Sequence, residues 1–323
     1  MVWLLLALFA DQFETTYHAG LIALSQNNLA VAESQLEAAS RLRPREASVW
    51  LALAQTYWKL HQSEPAQAAA RSAEALTADP AILRGLAVYY SETSEEPKAA
   101  ELLEAAIRRS PFDEGLYFDL AQLFLKQQNF AAALETLDAG RKYFDKSAQL
   151  ELAAGVAYYG LRRFPEAIDA FLRTIQLAPG VEQPYVFLGR MLDQAEGKLP
   201  AITTVLAAFA ARAPESYLSN FLYGKCLVLA GDPARAEALL RRSIALNDRF
   251  WESHFALGAV LEQRREFENA THEMQRAVEL NPDDAASHYR LSRLYDRLGR
   301  TSEAQTQREA HARLLSVMKR VDP

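Results

Sequence analysis

The groups in this 323-residue chain that could do chemistry are its six histidines, one cysteine and forty-one carboxylates. His254 and His288 stand 34 residues apart and would make a metal pair if the fold stacked them. They share their place in the pattern with Trp50, Tyr117 and Tyr185, which favours a packed role over a ligating one. His272-Glu273 lacks the second histidine of a zinc-protease helix, and His18, His61 and His311 have no ligand-like partner at helical spacing. There is no glycine-rich phosphate loop and no Gly-x-Ser-x-Gly elbow. Cys226, beside Leu227, reads as a small buried hydrophobe, and alone it can close no intramolecular disulfide. Glu101, Glu104, Glu266 and Glu268 read as solvated faces. The expectation is a protein that is not an enzyme and uses no metal or cofactor. A site missed by these motifs would have to draw on Asp193, Glu262, Asp296 and His254.

The elements that would position such residues follow from composition and period. Half of the residues are hydrophobic and a quarter charged, enough apolar surface to order the chain. Thirty-five basic against forty-one acidic residues leave a net charge of −6, which argues against a nucleic-acid partner. Proline and glycine number only 13 each, so the chain reads as helical. The apolar period resolves into pairs of segments about 13 residues long, each roughly 20 Å of helix. Polar or glycine turns separate them at Asn27-Asn28, Ser94-Glu95-Glu96-Pro97, Gln128-Asn129, Glu196-Gly197, Gly231-Asp232 and Gly299-Arg300.

These pairs recur. Leu83, Leu86, Ala87, Tyr90, Ala99, Leu103, Ala106 and Pro111 are followed at matching offsets by Tyr117, Leu120, Ala121, Phe124, Ala133, Leu137 and Gly140. Ala154, Gly155, Tyr158, Ala167, Phe171 and Pro179 come next, then Tyr185, Leu188, Gly189, Leu192 and Ala201 with Pro214 one place late. The clearest copy is Leu257, Gly258, Leu261, Ala270, Met274, Ala277 and Pro282. Small residues on the first helix (Gly155, Gly189, Gly224, Gly258) and alanines on the second (Ala133, Ala167, Ala236, Ala270) predict a close approach of the two. This pattern resembles the tetratricopeptide repeat (TPR). Nine copies begin near Phe13, Ala47, Pro80, Glu114, Ala148, Glu182, Tyr217, Trp251 and Ala285, spaced 33 to 35 residues apart. The resemblance implies an all-α fold, a right-handed TPR superhelix: an α-solenoid of antiparallel helix pairs, each stabilised by its neighbours. Residues 13–318 form the array, 1–12 an apolar N-terminal segment and 319–323 a tail.

The resemblance also implies a site. In TPR arrays the fifth, ninth and twelfth repeat positions of the first helix face the concave groove. The fifth gives Tyr17, Leu51, Phe118, Leu152, Val186, Phe221, Phe255 and Tyr289, with Arg84 the one charge. The ninth includes Gln122, Arg190, Lys225 and Arg293, and the twelfth includes Trp58 and Tyr159. An apolar ribbon of that kind marks a binding surface. No ninth position is the asparagine of TPR domains that grip chaperone C-termini, and the sixth positions lack the asparagine ladder of O-GlcNAc transferases. The expected function is a protein–protein interaction scaffold that binds a peptide or helix of a partner in the groove. The alternative is a structural assembly factor of a cell-envelope complex using the convex face or the array ends. Self-association is a further use of the ribbon.

The two ends carry expectations of their own. Val2 to Ala10, VWLLLALFA, is too short to span a bilayer. It is similar to the apolar core and cleavage site of a secretory signal, but no Lys or Arg precedes it. The reading leans to an exported protein with no integral span in the mature chain, against a short helix covering the first repeat. At the other end Arg308 replaces Leu103, Leu137 and Phe171 of earlier copies, as a terminal repeat requires. Leu314, Leu315 and Met318 are expected to pack back on the preceding helix.

Overall fold

The computed structural model describes the backbone of residues 2–195 and 197–321, and side chains for 12–195 and 197–317. The expectations on the apolar segment 1–10, on Met318 and on the tail 319–323 fall outside the described side chains. Among the described residues the chain is all-α, in consecutive antiparallel pairs. The pairs are α1 (Val2–Ser25) with α2 (Leu29–Leu42), α3 (Ala47–Lys59) with α4 (Ser63–Leu76), α5 (Pro80–Glu92) with α6 (Glu96–Arg109), and α7 (Glu114–Lys126) with α8 (Phe130–Arg141). Then follow α9 (Ala148–Gly160), α10 (Phe164–Leu177), α11 (Gln183–Arg190), α12 (Leu199–Arg212), α13 (Tyr217–Leu229), α14 (Pro233–Leu246), α15 (Trp251–Gln263), α16 (Phe267–Leu280), α17 (Ala285–Arg297) and α18 (Thr301–Val321). The chain divides into two compact units, residues 1–161 and 162–323. The first holds four repeats and the first helix of the fifth; the second begins with that repeat's other helix.

Three recurring devices set the phase of the repeats. The first is the turn between paired helices. It places one residue in the left-handed region: Asn27, His61, Ser94, Gln128, Arg162, Gly197, Gly231, Arg265 and Gly299, with φ between 57° and 81°. Six of these are not glycine, so their side chains are held in a conformation costing L-residues about 1 kcal/mol or more. Five residues later comes the second device, a fully buried small residue on the second helix: Ala32, Ala66, Ala99, Ala133, Ala167, Ala236, Ala270 and Ala304. It marks where the paired backbones nearly touch. A Cβ built on Gly258 would lie 3.3 Å from the Ala270 carbonyl oxygen, and one on Gly224 3.3 Å from that of Ala236.

The third device ties each repeat to the turn before it. A side chain near the start of the first helix donates a hydrogen bond to a carbonyl six residues back. Trp50 Nε1 donates to Pro44 O (2.8 Å), Tyr117 Oη to Pro111 O (3.1 Å), Tyr185 Oη to Pro179 O (3.0 Å) and Asn220 Nδ2 to Pro214 O (3.0 Å). His254 Nε2 reaches Asp248 O at 3.1 Å and His288 Nε2 reaches Pro282 O at 2.9 Å. A carbonyl has no proton to offer, so each imidazole Nε2 is the donor.

The sixth repeat departs from the expected register. Tyr185 still bonds the turn behind it, but the left-handed residue, Gly197, arrives one place late. The extra residue is absorbed where α11 stops after eight residues and a 3₁₀ turn, Leu192–Gln194, follows. Ala201, which the sequence pattern places at the close approach, is therefore exposed, and Ile202 is fully buried in its stead. At the far end Arg308 pairs with Asp296 at 2.8 Å. Leu314 is half-buried, whereas Leu315 is exposed rather than packed back on the preceding helix.

The left-handed turns give a stability test. Adding a methyl at Gly231 meets nothing within 4 Å, so Gly231→Ala isolates backbone strain and should lower unfolding stability by about 1 kcal/mol. Arg265→Gly, at the same turn of the next repeat, should move the denaturant midpoint the other way. Equal midpoints for both variants and wild type would show that these turns are not held left-handed in solution.

Candidate functional site

The first unit has a groove whose floor is built from the first helices of repeats one to four. Two hollows form it, of about 340 Å³ and 480 Å³, and they share Val88 and Glu92. The smaller is lined by Leu21, Leu24, Gln55, Lys59 and Tyr89; the larger by Arg84, Ser91, Asp119, Gln122 and Lys126. Val88, 48% exposed, is the apolar centre of both. Around it the ninth repeat position supplies the amides Gln55 and Gln122. Four residues on, the same helix face supplies Lys59, Glu92 and Lys126, one alternating charge per repeat.

Each wall of this groove has a physical origin. Arg84 Nε donates to Asp119 Oδ2 across the two first helices at 2.5 Å, through space that Gly115 leaves open: a Cβ there would lie 2.9 Å from the guanidinium nitrogens. The hydrogen bond to Asp119 outweighs burial and holds Arg84 charged more firmly than usual. Trp58 lies edge-on to Tyr89, with ring centroids 6.5 Å apart. The Tyr89 hydroxyl is buried with no hydrogen-bond partner among the described residues, an unmet polar group at the groove wall. Burial raises its pKa.

The expected ribbon residues are placed differently from one another. Gln122 lines the groove and is exposed, and Trp58 supports it through Tyr89. The fifth-position side chains Tyr17, Leu51, Phe118 and Leu152 are half-buried, as is Tyr159 of the twelfth. Tyr17 stacks on buried Phe13 at 5.7 Å, and Leu51 presses on Gly85 of the next first helix, where a Cβ would come within 2.5 Å. In the second unit Val186, Phe221 and Phe255 are half-buried too. Phe221 packs edge-on to Phe250 at 5.0 Å, and Phe255 lies beneath the Arg290 guanidinium at 5.3 Å. Only Tyr289 of this row is exposed, at 47%. The row belongs mainly to the joints between successive repeats.

The ninth-position cations of the second unit are unlike one another. Arg190 and Arg293 are exposed, near the rings of Phe187 (5.8 Å) and Tyr289 (5.9 Å). Lys225 is half-buried and donates to the Gly189 carbonyl at 2.9 Å; burial lowers its pKa, opposed by the charges of Asp193 and Glu252. Glu252 is itself raised by burial, and its Oε2 has no partner among the described residues. Val88 is a ninth-position residue, whereas Lys59, Glu92 and Lys126 lie outside the expected fifth, ninth and twelfth positions. The i, i+4 relation of the ninth to the thirteenth position was the signal that could have found the three charges.

Three of the four groups named for a missed enzyme site, Asp296, Glu262 and His254, are engaged by neighbouring side chains or backbone. Asp296 pairs with Arg308, and Glu262 with Arg290 at 3.2 Å and Arg297 at 3.9 Å. His254 Nδ1 lies 2.7 Å from Glu273 Oε2 while its other nitrogen holds the turn. Asp193 is exposed. Cys226 is buried against Thr203 Oγ1 (3.2 Å), and burial raises its thiol pKa. Among the described residues no three His, Cys, Asp or Glu side chains converge as metal ligands, and no helix is long and apolar enough to cross a membrane.

Comparison with known proteins agrees with this geometry. A family model described as tetratricopeptide repeat matches residues 17–62, 118–182 and 199–250, just over half of the chain, and a second model of the same description matches 273–306. No curated protein matches the sequence. Among solved structures, the C-terminal part of a TPR repeat-containing protein from Cytophaga hutchinsonii superposes with a TM-score of 0.54 at 16% identity, covering 84% of this chain and 97% of that one. The hetero-tetramer Cut9-Hcn1 of the APC/C gives 0.51 at 16% identity, over 88% of this chain and 56% of that chain. These likenesses are likenesses of fold.

The buried His254–Glu273 contact yields a pH prediction. Burial raises the Glu273 pKa, but the hydrogen bond and charge of His254 outweigh it, so the folded-state value lies below the ordinary one. Stability from this pair is then complete above the unfolded-state carboxylate pKa, about 4.3, and is lost as pH falls through the lower folded value. Melting temperatures between neutral pH and pH 3 should fall less steeply for Glu273→Gln than for wild type. Parallel profiles would show that the carboxylate is not held by the histidine.

Proposed function

Because the chain belongs to the tetratricopeptide repeat family, we propose that it is a non-enzymatic protein-interaction scaffold whose groove takes a peptide or helix of a partner protein. The observation behind this reading is the run of groove-lining groups over repeats two to four, all exposed except the half-buried Gln55. Val88 offers apolar contact at the centre, Gln55 and Gln122 offer amides to a peptide backbone, and Lys59, Glu92 and Lys126 alternate in sign. A segment with a small apolar residue between acidic and basic ones would match that order. Desolvation of the apolar centre would supply affinity, and the charges register and association rate. The solved structure of similar fold carries two proteins in one assembly, Cut9 with Hcn1, which is consistent with a scaffold role but fixes no partner here.

Packing dictates the test. Phe118, Phe221 and Phe255 are half-buried between repeats, so replacing them would loosen the array as well as alter its surface. Val88→Asp and Gln122→Ala change exposed groups instead. In capture from the source cell, with circular dichroism matched to wild type, Val88→Asp should reduce partner recovery at least tenfold, the equivalent of about 1.4 kcal/mol. Recovery unchanged by both variants would move the contact to the convex face or the array ends, as an assembly role requires.

A further inference from the structure

The turns that enter repeats four and five carry an aromatic cluster that the groove does not use. Phe112 is 76% exposed and Tyr143 49%. Their rings meet edge to face at 5.2 Å, and Tyr143 continues to Phe144 (6.4 Å) and to buried Tyr117 (6.3 Å). The same turn in the other repeats shows that folding does not demand Phe112. Five residues before the place of Tyr117, where Phe112 stands, the other turns carry Arg45, Lys146, Glu215, Arg249 and Asp283, all charged, and Ala78 and Gly180, both small, Gly180 being followed by the exposed Val181; all are exposed. At this position one turn of eight thus holds a large aromatic in solvent, and its ring is backed by Tyr143 of the next turn and by rings rooted in the core.

The surroundings of this cluster have a sign. Arg108 and Arg109 end α6 just before Phe112, and Lys142 and Lys146 flank Tyr143; all four are exposed. Arg109, Lys142 and Lys146 form no ion pair among the described residues, and Arg108 only a distant one with Glu104, at 3.8 Å. Asp113 is turned inward, accepting a hydrogen bond from the Gly115 N–H, which leaves Asp145 as the exposed acid of the two loops. Charges beyond about 8 Å are screened at physiological salt, so the local excess governs here rather than the net −6 of the chain.

We propose that this aromatic, basic-flanked corner of the first unit docks reversibly on an anionic lipid surface. Phe112 and Tyr143 would enter the interfacial layer while Arg108, Arg109, Lys142 and Lys146 meet lipid phosphates and carboxylates. The shape favours a bilayer over an acidic peptide. A peptide site encloses its anchor, whereas Phe112 projects with three-quarters of its surface free, and a lipid surface needs no pocket. The contact is peripheral, and it shares no residue with the lining of the groove.

The test is sedimentation of the full chain with vesicles of phosphatidylcholine alone or with one-third phosphatidylserine. Wild type should bind the anionic vesicles, bind neutral ones far less, and release as salt is raised. Each basic residue removed should weaken binding about fivefold, so a Lys142→Glu, Lys146→Glu variant should lose most of it. Phe112→Ser, at a solvent-exposed turn, should lose about as much while keeping its circular dichroism. Val88→Asp should bind vesicles as wild type does, which separates this corner from the groove. No wild-type binding to anionic vesicles would overturn the proposal, as would binding that survives both corner variants. Phe112-dependent capture of polyglutamate without vesicle binding would overturn it in favour of an acidic protein partner.

Discussion

No hairpin in this chain can cover its own apolar surface, and each is completed by the next. Within the first unit one continuous set of buried side chains runs from Phe13 through Leu36, Leu53, Leu86 and Leu103 to Leu123. Within the second a comparable set runs from Leu227 to Ala304. Burial at roughly 25 cal/mol per Å² rewards only hairpins that arrive in phase, because a neighbour rotated on its axis would present polar residues instead. The left-handed residue and the buried alanine five places later fix that phase inside each repeat. The donor to the carbonyl six residues back fixes it between repeats.

That requirement has consequences for where binding groups can sit. A side chain at the fifth position faces the following first helix at the distance where packing is tightest, so Leu51 is pressed against Gly85, and Arg84 reaches Asp119. Such residues serve the stack first. The ninth and thirteenth positions lie further round the helix, where Val88, Glu92, Gln122 and Lys126 remain open to solvent. Their identities vary from copy to copy without disturbing the joint, which is the freedom a recognition surface needs.

Much of the fold was legible because periodicity reports phase directly. The glycine and alanine rows predicted the close helix approach, and the shared place of His254 and His288 with tyrosines and a tryptophan predicted their packing role. The reason for that equivalence was not legible: imidazole, phenol, indole and amide are alike there because each offers an N–H or O–H to the same turn carbonyl. Period alone also could not say that Ile202 would take the place of Ala201. An inserted residue can be absorbed anywhere between two anchors, and only the 3₁₀ turn after α11 shows where. How far the ribbon is exposed was not legible for a related reason: a repeat position fixes direction, while exposure depends on how closely the next helix lies.

The nine copies also act as controls for one another. A position that is alanine in eight repeats, or a hydrogen-bond donor in six, is set by the stack, and a departure there must be absorbed by the backbone, as in the sixth repeat. A position that is charged or small in seven turns and phenylalanine in the eighth is different in kind. The helices on either side of Phe112 have ordinary lengths, its turn closes with the ordinary bond from Tyr117 to Pro111, and nothing nearby is rearranged to accommodate the ring. Exposing it gains the isolated chain nothing, since three-quarters of its surface stays in water. An apolar side chain that packing neither requires nor shelters, supported from behind by three more rings and bordered by unpaired cations, has its stabilising contact outside the chain.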